Sequence, residues 1–203
     1  MWVGKISYPY LAALTDHKIQ QAYRFAAIEL PTPPMAICTF PITSDDQFIL
    51  TVRGDTTVYG GRKYGVGGCP ETTKQSVARH QQGELNEEIQ VNKREHDLRM
   101  MEFYGIVGDQ ERFPNQPGLM GSTWINVDST TVKDRIDKRK PEEIPPDVAD
   151  VTFIPSTEGP LFDYLSQAKP NQFCPPAHGG LILYGHHKFG HDWSTKLLAK
   201  LDC

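Results

Sequence analysis

The run TTVYGGRKYGVGG, residues 56–68, puts five glycines into thirteen positions between a strand-forming region and a helix-forming one. Glycine permits positive φ angles and lets other groups approach the backbone, so the chain bends repeatedly here. Upstream, MAICTFPIT and QFILTVRG carry β-branched and aromatic residues around the polar turn SDD, the pattern of a β-hairpin. Downstream, Thr72 and Gln75 stand in the T-x-x-Q spacing of a capping box, which predicts a helix from there to about Ile89.

That helix is unusually acidic near its end. At about 100° per residue, Ala78, Leu85 and Ile89 share one face, Glu84 and Glu88 lie a quarter turn aside, and Glu87 stands beside Glu84. Three close carboxylates repel one another unless solvent or a cation screens them. A hard divalent ion such as Mg²⁺ takes oxygen ligands and is often shared with substrate phosphates. The helix by itself leaves two readings open, a solvated acidic face or a metal site.

Further strands are expected at LRMMEFYGIVGD and GSTWINVDS, joined by the turn-rich QERFPNQPGLM. KDRIDKRKPEEIPPDVAD reads as a charged surface excursion, and VTFIPSTEGPLFDYLSQ as a strand leading into a helix that starts near Glu158 or Pro160. The last dozen residues suit a closing helix. Near the N-terminus, Ile19, Tyr23, Ala26, Ala27 and Leu30 have the spacing of a short helix, with a strand as the alternative, and Pro31, Pro33 and Pro34 end it. The domain core is expected to begin after these prolines.

A chain of 203 residues accommodates one substantial core plus extensions. Its net charge of -4 provides no general pull toward nucleic acid or anionic lipid. The absence of a bilayer-length apolar run and of a basic start followed by an apolar core predicts a soluble, cytoplasmic protein without membrane association. Cys38, Cys69, Cys174 and Cys203 form no C-x-x-C pair and fit reduced thiols. His187 and His191 have the i, i+4 spacing of a metal pair, near His178 and His186, but Gly185 and Gly190 argue against a regular helix there. These histidines are therefore read first as packing or substrate-contact groups. The G-x-S-x-G elbow, the P-loop and the dinucleotide fingerprint are all missing, which disfavours a serine hydrolase, a nucleotide-triphosphate motor and a Rossmann dehydrogenase.

The order of hairpin, glycine bend, acidic helix and further strands resembles the Nudix hydrolase family, whose signature is G-x5-E-x7-R-E-U-x-E-E-x-G-U with U aliphatic. GELNEEIQV matches its second half at Glu84, Leu85, Glu87, Glu88 and Val91. Gly83 replaces the motif arginine, Gln90 the late glycine and Gln75 the early glutamate, and Gly68 lies one position early. The resemblance implies a Nudix-like α/β/α sandwich with a mixed β-sheet over residues 34–168. An N-terminal extension (1–33) would precede it, and a C-terminal extension (169–203) would pack on it.

What the resemblance implies about function is Mg²⁺- or Mn²⁺-dependent hydrolysis of a pyrophosphate bond in a nucleoside diphosphate-linked small molecule. Glu84 and Glu88 would be metal ligands, Glu87 a further ligand or the base that activates water, and Gly68 or Gly67 the source of a backbone carbonyl. Arg53, Arg62 and Lys63 are placed to meet a diphosphate, and Tyr59 and Tyr64 to stack on a base; the alternative is ordinary surface cations and half-buried strand aromatics. The eroded first half of the motif keeps a second reading open, a catalytically silent nucleotide-binding or protein-interaction module. By analogy the family also admits a homodimer.

Overall fold

The computed structural model describes residues 35–55, 57, 59–70, 76–109, 116–169 and 171–201. The segment 1–34, with its expected helix and its prolines, lies outside the described residues, as do Thr72, Gln75 and Cys203.

A mixed seven-stranded sheet is organised on β1 (Ala36–Ile42), of which Ile37 to Ile42 are buried. Burial on both faces explains its nearly unbroken apolar run. The strand β1 pairs with β2 (Gln47–Arg53) only at the turn, Ile42 opposite Phe48, and the two then diverge. The expected hairpin is thus closed at one end and split at the other. Past the turn, β2 pairs along its length with β7 (Val148–Pro155), while β1 pairs in parallel with β6 (Gln116–Ile125). The glycine run fills the split: β3 (Lys63–Tyr64) pairs with β2, and β4 (Val66–Gly68) with β1.

At the edge, β5 (His96–Asp109) runs antiparallel to β6. Both strands correct the sequence expectation. β5 begins two residues before Leu98, and β6 takes in Gln116–Met120, which the proline and glycine content of the connector had suggested was turn. Ladder bonds to β1 and β5 override that local bias.

Helices cover both faces. Along β2 the side chains alternate, Phe48 and Leu50 entering one core and Ile49 the other, as the period of a strand requires. On the first face pack α3 (Glu158–Ser166), α4 (Pro175–Phe189) and α5 (His191–Leu201), through Leu161, Leu165, Leu181, Tyr184, Trp193 and Leu197. On the second lie α1 (Val77–Ile89) and α2 (Ser129–Asp137), through Leu85, Ile89 and Val132. The architecture is the expected α/β/α sandwich.

Helix α2 replaces part of the expected surface excursion. Asp128 caps it by accepting from the Thr131 N–H at 2.8 Å. Lys133 pairs with Asp137 and Lys138 with Asp134, each at i, i+4. The charged composition conceals a helical period in which Val132 is the fully buried residue. Glu158 opens α3, as expected, and the expected closing helix is α5, which starts one residue before the last dozen.

Helix α4 corrects a second expectation, because Gly185 lies inside a regular helix. A Cβ there would stand 2.0 Å from the Trp193 ring, so the glycine exists to let α5 cross closely. Gly190, at φ 95°, does break the helix, and it leaves His187 and His191 on different helices. Cys38, Cys69 and Cys174 are free thiols. Among the described residues no helix is long and apolar enough to cross a membrane.

Gly185→Val is expected to lower stability by about 1–3 kcal/mol through overpacking against Trp193. Urea denaturation followed by far-UV circular dichroism reads this; an unchanged midpoint would show that the α4–α5 crossing tolerates a side chain.

Candidate functional site

The acidic helix is held at both ends. Ser76 caps its start, the hydroxyl accepting from the Arg79 N–H at 3.3 Å, so α1 begins at Val77, and the start expected near Thr72 lies outside the described residues. It ends at Ile89, as expected, because Gln90 adopts a left-handed conformation (φ 55°). The last turn has no basic residue of its own. Arg135 of α2 supplies the cation instead, donating to the Gln90 carbonyl at 3.3 Å and to both Glu95 carboxylate oxygens at 2.6 and 2.8 Å.

The inner face of α1 is tied to β4 by polar contacts. Gln81, fully buried, donates from Nε2 to the Val66 carbonyl at 2.6 Å. The Glu84 carboxylate lies over Gly68, where even a methyl group would stand 3.4 Å from Oε1. Its Oε1 is also 3.4 Å from His80 Nε2. Glu88 is 4% exposed and is reached by the Gly67 N–H, yet its Oε2 has no hydrogen-bond partner among the described residues. Burial holds this carboxyl well above the usual glutamate range. The charges of Glu84 and Asp147 push the same way, and Arg53 and the Gly67 N–H oppose them.

Glu84 and Glu88 thus meet on the glycines of β4, and Glu87 does not join them. It is exposed and lines a different cleft, with Asn86, Lys93 and Arg94. Among the described residues, no three His, Cys, Asp or Glu side chains converge as a ready metal centre. Two carboxylates and the nearby β4 backbone nevertheless form an all-oxygen donor set, and the unpaired buried oxygen of Glu88 is the group a hard cation would satisfy.

The expected substrate residues divide in the same way. Arg53 lies at the site, with Nη1 3.0 Å from Asp147 Oδ2 and its guanidinium 5.6 Å from the centre of the Tyr64 ring. Tyr59 is buried in the core beneath the Arg62 guanidinium, 5.1 Å from its ring centre, so it lacks the open face expected for base stacking. Lys63 bonds the Tyr164 hydroxyl and lies over the Tyr164 and Phe173 rings. The C-terminal histidines do not form one group: His178 stacks on Phe173 and His187 on Tyr104, while His186, whose Nδ1 meets the Ser194 hydroxyl at 2.9 Å, has its ring 5.8 Å from that of His191.

Three neighbours of the site escaped the sequence reading. His80 had a local signal, its i, i+4 spacing to Glu84. Asp147 and Arg139 had none, since both lie in the charged run after α2. Arg139 is 9% exposed and lies within range of the Glu88 charge. With its amide oriented to satisfy both neighbours, Gln90 accepts from Arg139 Nε at 3.1 Å.

No protein-family model and no curated protein sequence matches this chain. Its fold, however, is similar to solved structures. A MutT protein from Methanosarcina mazei Go1 is 10% identical over 78% of this chain and 98% of its own, with a TM-score of 0.53. A MutT/nudix family protein from Enterococcus faecalis is 12% identical, over 96% and 81%, at 0.51. A bifunctional NMN adenylyltransferase/ADP ribose pyrophosphatase from Francisella tularensis, solved with AMP and a Mn ion, is 12% identical over 91% of this chain and 50% of its own, also at 0.51. At such identities the likeness is one of fold.

Glu88→Gln tests the electrostatics directly. A carboxyl whose folded pKa is raised adds no penalty below its ordinary value of 4.5, and it costs stability as pH climbs toward the raised value, because the unfolded chain ionises first. In metal-free protein, Glu88→Gln is therefore expected to leave Tm nearly unchanged at about pH 4.5 and to raise it at about pH 8, by roughly 2–4 °C per kcal/mol relieved. Thermal melts at the two pH values decide; an equal shift at both would assign the effect to shape rather than charge.

Proposed function

We propose that this chain, which has the Nudix fold, is a divalent-metal-dependent hydrolase of the diphosphate linkage in a nucleoside diphosphate derivative. The observation that carries the reading is the buried Glu88 carboxylate with an unpaired oxygen, set beside Glu84 on the β4 glycines. A merely solvated acidic face does not bury a carboxylate and leave it unpaired.

In this reading Glu84 and Glu88, with a backbone carbonyl at Gly68, hold Mg²⁺ or Mn²⁺; the Mn ion bound by the Francisella protein of the same fold supports the choice. When bound, the ion supplies Lewis-acid stabilisation of negative charge on phosphate oxygens. Arg53 is the cation best placed to face the diphosphate, because its charge acts on Glu88 at the site. Asp147 holds the Arg53 guanidinium in place. Glu87, exposed and lining a different cleft, has no ligand role here.

A second reading, a catalytically silent nucleotide-binding or protein-interaction module, is favoured by one observation. Gly83 stands where the signature has its arginine, with no side chain to orient the glutamates.

Release of phosphate or nucleotide from nucleoside triphosphates, dinucleoside polyphosphates and nucleotide sugars separates the two. The hydrolase requires Mg²⁺ or Mn²⁺ turnover abolished by chelator, reduced on the order of 100-fold or more in Glu84→Gln and Glu88→Gln. In Glu87→Gln the reduction should be less than about tenfold. A folded protein silent on every substrate with either ion would leave the binding module.

A further inference from the structure

A cleft of about 650 Å³ is walled by α1, the turn that follows it and the start of β5 against β6. Gln82 lines it, two residues before Glu84 and so about 200° around the helix, which puts the cleft on the far side of α1 from Glu84. Its shape comes from a break in register. Between His96, opposite Ile125, and Met101, opposite Thr123, β5 advances five residues while β6 advances two. A bulge of this kind bends a strand and re-aims its side chains. Trp124 of β6 stands opposite the bulge and is 39% exposed, with exposed Met100 also lining the cleft.

His96 lines the same cleft and is 6% exposed. Its Nε2 meets the Thr123 hydroxyl at 2.7 Å, while its Nδ1 has no partner among the described residues. A buried ring nitrogen left in that state is costly unless a water or a bound molecule takes the hydrogen bond.

Charge supplies the third component. Lys93 and Arg94 are exposed on the cleft wall, and among the described residues their side chains make no hydrogen bond or ion pair. The two acids that line this cleft are already paired: Asp97 holds Arg99 through bonds of 2.7 and 3.1 Å, and Glu95 holds Arg135. Gln82, Lys93 and Arg94 also line a second cleft of about 540 Å³, together with Glu87.

An open indole, two unpaired cations and a buried hydrogen-bonding nitrogen match the base, the phosphate and a polar edge of one nucleotide. A groove for single-stranded nucleic acid would need successive stacking platforms and a basic track, whereas Trp124 is the one tryptophan lining this cleft and the chain has a net charge of -4.

We infer that this cleft is a nucleoside monophosphate site separate from the acidic face, with Trp124 stacking on the base, Lys93 and Arg94 taking the phosphate, and His96 Nδ1 bonding the base or sugar. The site does not depend on whether Glu84 and Glu88 hold a metal.

Isothermal titration of the whole chain with AMP, adenosine and inorganic phosphate, in the presence of chelator, tests it. AMP is expected to bind more tightly than either fragment. Its affinity should fall at least tenfold in Trp124→Ala and in the double variant Lys93→Glu, Arg94→Glu, and should be unchanged in Glu84→Gln. The double variant alters only exposed side chains, so with an unchanged Tm it decides the question even if Trp124→Ala misfolds. No AMP binding at millimolar concentration would overturn the proposal. So would binding that requires a divalent ion and disappears in Glu84→Gln, or binding of a single-stranded oligonucleotide but not of AMP.

Discussion

The close approach of β4 to β1 at Gly67 is the constraint on which the rest of this structure depends. Gly67 has φ 152°, and a Cβ there would stand 2.0 Å from the Ile37 carbonyl oxygen, so no other residue allows the two backbones to pair. With β4 on β1 and β3 on β2, the glycine segment wedges apart a hairpin that would otherwise stay zipped. On their outer edges the two strands take β6 and β7, which places the hairpin at the centre of a mixed sheet. The same segment docks α1, through the Val66 carbonyl, the Gly67 N–H and the space above Gly68.

Docking the helix this way forces a choice on its carboxylates. Leu85 and Ile89 are the apolar anchors, and Glu88, between them and the Glu84 row, is carried inward against the Gly67 N–H. Burial there is unfavourable for a charge, and Glu84 and Asp147 make it more so. Arg53 and Arg139 approach from β2 and from beyond α2 and moderate the field. An arginine at position 83 would have come from the helix itself; here the cations near the glutamates come from other elements, so the local charge balance depends on the tertiary fold.

Much of this was legible in local pattern. The glycine run, the amphipathic period of α1 and the Glu84–Glu88 spacing each point to their structural outcome through rules acting over one or two turns. What was hidden has a common cause. α2 was obscured because its charges pair along the helix and leave one buried apolar position to betray the period. The regularity of α4 was obscured because Gly185 looks like a helix breaker until Trp193 is laid across it. The stacking role expected of Tyr59 was misjudged because the fold buries it in the core with residues distant in sequence and sets the Arg62 guanidinium over its ring.

The sequence alone determined which segments become strands and helices around the glycine bend and that two glutamates share one side of a helix, because those properties follow from backbone sterics and residue period. Only the tertiary structure decided that Glu88 is buried while Glu87 faces solvent, that Asp147 and Arg139 stand near the site, and that a bulge in β5 opens a cleft before Trp124. Burial and charge proximity depend on which distant elements close over a residue, and no local spacing encodes that closure.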